Sequence, residues 1–275
     1  MRLVDALGIR IGGKDAIEAR LDGQVIWSAV TPAEPLLPGQ YRTDFSEYQT
    51  GTPPNDWTAR WDTNFPYSVV ANPDSLGGKA LRIGYGGAGG RNLFTWDAID
   101  DDPGRADVDL VMRARVVSSL SEGEMLFAAR CSNDSAARAT GYRSGMRPRL
   151  SGGRYECGYY LNGGFSSFGG TTSYTYRLGE WFWSRYKIEA NQHFLKVWAG
   201  SHSDEPENWP SSTTQSSITA PGWVGIFRNA DAITEVDFFS VGTGGQSAPG
   251  PALAPFDTAG LTVTSDFGSG DNANA

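Results

Sequence analysis

The feature that most constrains this chain is the alternation of apolar and polar residues in its middle part. In the segment ADVDLVMRARVV, residues 106–117, every second residue from Val108 to Val116 is apolar, and most intervening residues are charged. A period of two residues places successive side chains on opposite faces of a β-strand. The segment is therefore predicted to be an antiparallel strand with one face on the core and the other toward water.

Several other segments carry strand patterns of the same kind. In WFWSRYKIEA, residues 181–190, Phe182, Tyr186 and Ile188 share one face, whereas Trp181, Trp183 and Arg185 share the other. WVGIFRN (223–229) and EVDFFSVG (235–242) are predicted as two later strands. Asn162-Gly163 follows another strand and predicts a β-hairpin turn.

Glycine is abundant and separates short apolar runs. The chain has 35 Gly among 275 residues, nearly twice the usual proportion of about 7%. No part of the middle region has a convincing helical period. We therefore predict an all-β fold, a two-sheet antiparallel β-sandwich over residues 40–243.

Proline and glycine divide the chain into four parts. Residues 1–30 are predicted to form an N-terminal β-hairpin module, and TPAEPLLPG (31–39) a stiff connector. The sandwich follows at 40–243. Residues 244–275 are predicted as a Gly/Pro/Ala-rich linker with a C-terminal tail.

The N-terminal module centres on RLDGQVIWS, residues 20–28. Asp22-Gly23 suits a type I′ turn, which would place Leu21 opposite Gln24, Ala19 opposite Ile26 and Ile17 opposite Ser28. Both sides of this ribbon carry apolar residues, and a lone two-stranded hairpin is marginally stable in water. We therefore predict that it docks on another chain through the following residues: Ile17, Leu21, Val25 and Trp27.

Charge and length exclude several classes of protein. The formal net charge is −8 and the pI about 4.8, which disfavours nucleic acid as a ligand. No run of 18 apolar residues predicts a membrane-spanning helix, and no secretory signal is apparent. Cys131 and Cys157 are predicted to be reduced, with a disulfide left open.

The middle region resembles the concanavalin A-like (laminin-G-like) superfamily. The resemblance rests on DFSEY (44–48), on residues 180–200 followed by EPENW (205–209), and on GWVGIF with VDFFSVG near the end. It implies a jelly-roll sandwich and a lectin-like role, with hydrolysis in some members. Structural calcium is also common there, and Asp44 and Asp237 are weak candidate ligands; otherwise no cofactor is expected.

The segment IRIGGKDAIEARLDGQVIWS, residues 9–28, resembles a short β-module of bacteriophage tail and fibre proteins. This resemblance implies a virion component of a tail tip, fibre or baseplate, bound to other tail or fibre proteins. It also implies several copies, with a trimer favoured, and adsorption to host surface polysaccharide. A stand-alone lectin-like protein is the alternative, and a glycoside hydrolase a less favoured one.

Aromatic rings beside planar polar groups are the residues expected to bind sugars. The candidates are Trp181, Trp183, Arg185, Tyr160, Tyr174 and Tyr176. The competing interpretation is that these rings fill the core or cover the sheets. The Gly-rich stretches GYGGAGG (84–90) and NGGFSSFGG (162–170) lack the Gly-Lys-Ser/Thr of phosphate loops and are predicted as long loops at an end of the sandwich.

Catalysis is not predicted. Retaining glycosidases need two carboxylates about 5 Å apart, which one family of the superfamily places as Glu-x-Asp-x-x-Glu on a single strand. Here Glu235 and Asp237 are followed by Ser240 in the final position, so the acid/base residue is missing. The two histidines, His193 and His202, leave little scope for a Ser-His-Asp triad.

Overall fold

The computed structural model describes residues 18–21, 24–28, 35–61, 65–84, 91–118, 124–147, 153–229 and 232–252. The chain divides into two compact units. The smaller one includes a two-stranded sheet near the N-terminus, and the larger one spans residues 35–251. None of the helices within these ranges has the length and apolarity needed to cross a lipid bilayer.

The predicted N-terminal hairpin is present, with β1 at Glu18–Leu21 and β2 at Gln24–Ser28. Leu21 faces Gln24 as predicted, but Ala19 faces Trp27 rather than Ile26. The reason is a β-bulge that leaves Ile26 as an extra residue on β2, so that Glu18 faces Ser28. Ile17 and the Asp22-Gly23 turn lie outside the described residues, and the docking role of this hairpin stays a prediction.

The larger unit is a sandwich of two antiparallel sheets, which confirms the predicted fold class. Its strands are β3 (Gln40–Thr43), β4 (Trp57–Trp61), β5 (Tyr67–Ala71), β6 (Lys79–Ile83), β7 (Arg91–Trp96), β8 (Val108–Ser118), β9 (Met125–Ser132), β10 (Thr140–Arg147), β11 (Gly153–Leu161), β12 (Gly164–Tyr174), β13 (Phe182–Glu189), β14 (Gln192–Trp198), β15 (Ser211–Thr214), β16 (Trp223–Asn229) and β17 (Ile233–Thr243). One sheet has the order β12-β11-β10-β9-β16-β7-β4, and the other has the order β15-β14-β13-β8-β17-β6-β5. β3 pairs with β17 beside β6.

The main core lies between the two sheets, where the alternating residues of β8 and β13 were predicted to point. The five alternating apolar residues of β8 from Val108 to Val116 are buried there, and so are Phe182, Tyr186 and Ile188. The opposite face of β8 was predicted to meet water, but Asp109 and Val111 are also buried. β8 is a central strand, and later parts of the chain cover its outer face.

The chain enters and leaves the sandwich at the same end. β3 and β17 are hydrogen-bonded neighbours, and just beyond them the amide of Thr243 donates to the carbonyl of Gly39 at 2.8 Å. Residues 244–251, predicted as the start of a linker, instead fold back over the sheet. The side-chain amide of Gln40 donates to the Ser247 carbonyl, and the Ala248 amide donates to Asp109.

The opposite end of the sandwich receives the connections from β6 to β7, from β8 to β9 and from β10 to β11. Residues 85–90 of the first Gly-rich stretch belong to one of these connections and lie outside the described residues. The second Gly-rich stretch is not a long loop. Asn162 and Gly163 form the predicted hairpin turn with φ of 50° and 82°, and residues 164–170 continue as β12.

Candidate functional site

The outer face of the eight-stranded sheet carries most of the side chains singled out in the sequence. Outward residues of β8, β13, β14 and β17 lie side by side across this face. Residues 199–210, between β14 and β15, fold over part of it, since Glu205 bonds to Arg185 and Trp209 packs on Phe194. The surface left open to a ligand is therefore smaller than the alternation of the strands predicts.

Trp183 is a packing residue on this face. Its side chain is 2% exposed and stacks on Trp198, with ring centroids 6.1 Å apart, while its edge meets Phe238. Val111 and Ala248 complete this small outer core. The predicted sugar-stacking role for Trp183 is corrected accordingly, because both of its faces are shielded by protein.

Arg185 is held by two carboxylates. Its Nε and Nη2 donate to the two oxygens of Asp109 at 2.8 and 2.5 Å, and its Nη1 donates to Glu205 at 2.9 Å. Lys196 approaches the same Glu205 carboxylate at 2.7 Å. Burial alone would raise the pKa of Glu205, but the hydrogen bonds and charges of Lys196 and Arg185 hold it below its usual value.

Glu235 and Asp237 lie fully buried beneath residues 72–76. Glu235 accepts hydrogen bonds from Arg82, Arg115 and Asn72 at 2.6–2.9 Å.

Asp237 accepts from Arg113 at 2.5 Å and from the Leu76 amide at 3.0 Å. Burial raises the pKa of Asp237 to about 7, and the charge of Arg113 offsets only part of this increase. The pair joins the loop to the sheet and faces no open cleft.

These hydrogen bonds also concern the predicted calcium ligands, Asp44 and Asp237. The Oδ2 atom of Asp237 is already occupied by a guanidinium and a backbone amide, and Asp44 accepts from the amide of Ser46 at 3.0 Å. Within the described ranges no three His, Cys, Asp or Glu side chains are grouped to hold a metal ion. The other oxygen of Asp237, Oδ1, is buried without a hydrogen-bond partner among the described residues, and calcium binding by Asp44 and Asp237 stays a prediction.

Among the predicted sugar-binding residues on this face, Trp181 has a half-exposed ring. The guanidinium carbons of Arg113 and Arg115 lie 4.7 and 4.5 Å from its ring centroid. Contacts of this kind fix the ring by cation–π attraction while part of its surface stays open to water. A fixed, partly exposed indole beside guanidinium donors has the chemistry required to stack on a sugar.

The three tyrosines predicted with it lie elsewhere. Tyr160 is buried on the outer face of the seven-stranded sheet, where it meets Trp61 and Phe227. Tyr176 is buried in the main core, and its hydroxyl bonds to the backbone of Val116. Tyr174 ends β12 and is half-buried. The predicted set is therefore divided over three surfaces and does not form one site.

The structure contains two further Trp–cation pairs that the sequence analysis did not predict. The Lys196 ammonium lies 4.2 Å from the ring centroid of Trp209, which also packs on Phe194. On the other sheet the guanidinium carbon of Arg60 lies 3.7 Å from the ring centroid of Trp223. Both tryptophans are half-exposed. Each stands at the edge of a loop and is separated from its partner in sequence, so no local pattern points to either pair.

Neither histidine nor cysteine supplies a reactive group in the core. His193 is fully buried, accepts from the Tyr186 hydroxyl at Nδ1, and donates from Nε2 to the Gln215 carbonyl. Burial lowers its pKa to about 4, so the imidazole is neutral at pH 7. Cys131 and Cys157 are buried free thiols, as predicted, and burial raises the pKa of both.

No protein-family model and no curated protein matches this chain. Solved structures of low identity do resemble the sandwich. A carbohydrate-binding module from Bacillus subtilis is 12% identical with a TM-score of 0.47, over 69% of this chain and 95% of that module.

The CBM2 module of the evolved Dit protein of Lactobacillus casei BL23 phage J-1 is 11% identical with a TM-score of 0.45, over 75% of this chain and 96% of that one. A carbohydrate esterase from the Shiga toxin-encoding bacteriophage phi24B is 14% identical with a TM-score of 0.46, over 74% of this chain and 96% of that one. At these values the likeness supplies no argument about ligand or activity.

Proposed function

We propose that this chain is a structural component of a phage or phage-like tail, in the tail tip, fibre or baseplate. In this proposal the sandwich is held at one end and projects its opposite end outward. The observation that carries it is the pairing of β3 with β17, because the polypeptide enters and leaves the sandwich at neighbouring positions. In the same proposal the N-terminal hairpin, which resembles a tail-protein module, binds other tail proteins.

The test is the location of the chain in a lysate. Particles are purified by density gradient, and antibody-labelled electron micrographs are compared with the particle-free supernatant. The proposal expects labelled tails and most of the chain in the particle fraction. Recovery of the chain only as free protein would contradict it.

A glycan-binding role for the sandwich is the second part of the proposal. It is supported by the half-exposed Trp181 beside Arg113 and Arg115, and by Trp209 beside Lys196. Stacking of sugars on single rings is weak, so display of several copies would raise the avidity. Binding of the full chain to a glycan array without any particle association would favour a stand-alone lectin instead.

A further inference from the structure

β12 forms the outer edge of the seven-stranded sheet. It is eleven residues long, and it pairs with β11 along one side. Among the described residues no strand pairs with its other side. Its sequence, GFSSFGGTTSY, contains no charged residue and no proline, which are the usual protections of an exposed edge strand.

The other three edges of the sandwich are shorter or covered. β5 is bonded on its outer side, because the Val69 amide donates to Thr52 and the Val69 carbonyl accepts from Gly51. β4 has five residues and includes Arg60, which forms ion pairs. β15 has only four residues. Among these edges, β12 is therefore the longest one that is both uncovered and without a charged residue.

A bulge limits the usable part of β12 to its first half. Glu156 faces Thr171 and Cys157 faces Phe168, so Gly169 and Gly170 are extra residues, both with positive φ near 75°. A Cβ on Gly169 would clash with Thr213 of the other sheet, so the backbone of β12 lies close to β15 at this point. Residues 164–168, before the bulge, form the regular segment.

The hairpin geometry determines which amides of this segment are free. A two-residue turn makes Leu161 and Gly164 a hydrogen-bonded pair, and such pairs alternate along an antiparallel ladder. The amides of Phe165 and Ser167 therefore point away from β11, toward the open side. Phe165 is 43% exposed and packs against Arg143, whose guanidinium carbon lies 4.0 Å from the ring centroid.

We propose that a second copy of this chain pairs with residues 164–168 of β12, antiparallel and about a two-fold axis. A two-fold interface brings the same surface together from both copies, so like charges would repel across it. The whole chain carries −8, but this edge carries no charge and avoids that repulsion. The two exposed Phe165 rings add apolar area beside the paired strands. The product is a dimer, not the trimer expected from the sequence.

The experiment measures the molar mass of the full chain by size-exclusion chromatography with light scattering over a range of concentrations. The expected mass is about twice 29.6 kDa. Ser167→Lys places a charge on the open edge without removing a bond to β11, and it should weaken the dimer at least tenfold. Gln49→Lys adds the same charge at an exposed loop residue and should leave the mass unchanged.

A mixing test separates self-pairing from misfolding. Ser167→Lys and Ser167→Glu should each be monomeric, and mixing them should restore the dimer through opposite charges, as long as thermal melts show both to be folded. A monomeric wild type at every concentration, a trimer, an unaffected Ser167→Lys dimer, or no recovery on mixing would each overturn the proposal. None of these outcomes bears on whether the chain is found in particles.

Discussion

The Nη1 atom of Arg113 lies 2.5 Å from Oδ2 of Asp237, a carboxylate that no solvent reaches. The two residues sit on neighbouring strands, 124 positions apart in sequence. Although this pairing favours the ionised carboxylate, burial dominates, and the pKa of Asp237 is raised to about 7. The charge on this residue therefore depends on pH in the range where most proteins are studied.

Asp237→Asn should change how stability depends on pH. A carboxyl whose pKa is raised in the folded state contributes its full stabilisation of that state below its unfolded pKa, near 3.8. This stabilisation is lost as pH rises through about 7. Between pH 4 and pH 8 the free energy of unfolding of the wild type should therefore fall by on the order of 3 kcal/mol relative to that of the variant. Urea unfolding at both pH values measures this. A variant whose stability depends on pH in the same way as that of the wild type would contradict this prediction.

His193 should stay neutral far below the usual range for histidine. Burial lowers its pKa to about 4, and the neutral ring donates from Nε2 while accepting at Nδ1. The contribution of His193 to the stability of the folded state is complete above pH 6.5 and is lost as pH falls through about 4. Nitrogen chemical shifts of the imidazole, followed by NMR from pH 7 to pH 4, should show the Nε2–H tautomer throughout most of this range. A midpoint near 6.5 would contradict the buried arrangement.

Trp181→Ala and Trp183→Ala should separate binding from stability. Trp183 is 2% exposed within a small core, and its loss should lower the free energy of unfolding by about 3–5 kcal/mol. Trp181 is half-exposed, and its loss should cost only about 1 kcal/mol. Only the Trp181 variant should lose retention on a host-polysaccharide column while its melting temperature falls by no more than about 2–4 °C. Full retention by that variant would exclude Trp181 as the stacking ring.

Gly163→Ala should destabilise the hairpin between β11 and β12. Gly163 has φ of 82°, and an added Cβ would collide with the carbonyl of Ala137. A cost of about 1–3 kcal/mol is expected from the strained backbone alone. Gly164→Ala is the matched control, since its Cβ would meet nothing closer than 3.4 Å. Thermal melts of the two variants should differ clearly, and equal melts would show that the turn relaxes.

Trp27→Ala should weaken assembly and leave the sandwich folded. Trp27 lies on β2, in the hairpin that resembles a tail-protein module. Loss of its ring is expected to reduce incorporation into particles, because the hairpin needs apolar cover from another chain. Near-ultraviolet circular dichroism of the purified variant should match that of the wild type. Unfolding of the sandwich would show that the hairpin belongs to its core.

Sequence periodicity predicted the inner faces of β8 and β13 because a period of two residues maps directly onto the two faces of a strand. It did not predict the burial of Asp109, Trp183 or Asp237. Their cover comes from residues 72–76, 199–210 and 244–251, which are distant in sequence and are brought there by the fold. Burial of an outer face is a tertiary property with no local pattern.

Glycine content misled the prediction in one place. Residues 164–170 are rich in Gly and Ser, which is typical of loops, yet they form the first part of β12. Pairing with β11 overrides the local preference, and the surplus glycines are used in the bulge at Gly169 and Gly170. The turn at Asn162-Gly163 was predicted correctly because its positive φ values are a local requirement.

The bond between Thr243 and Gly39 has a further consequence for how this fold can be reused. A domain whose first and last strands are neighbours can be inserted into a surface loop of another protein without pulling the loop ends apart. The sandwich can therefore be placed at an exposed turn of a host protein, with linkers that start before Gly39 and after residues 244–251, which fold back over the sheet. For the same reason, a linker long enough to join residue 251 to residue 35, with the chain opened at another surface turn, should give a circular permutant that folds.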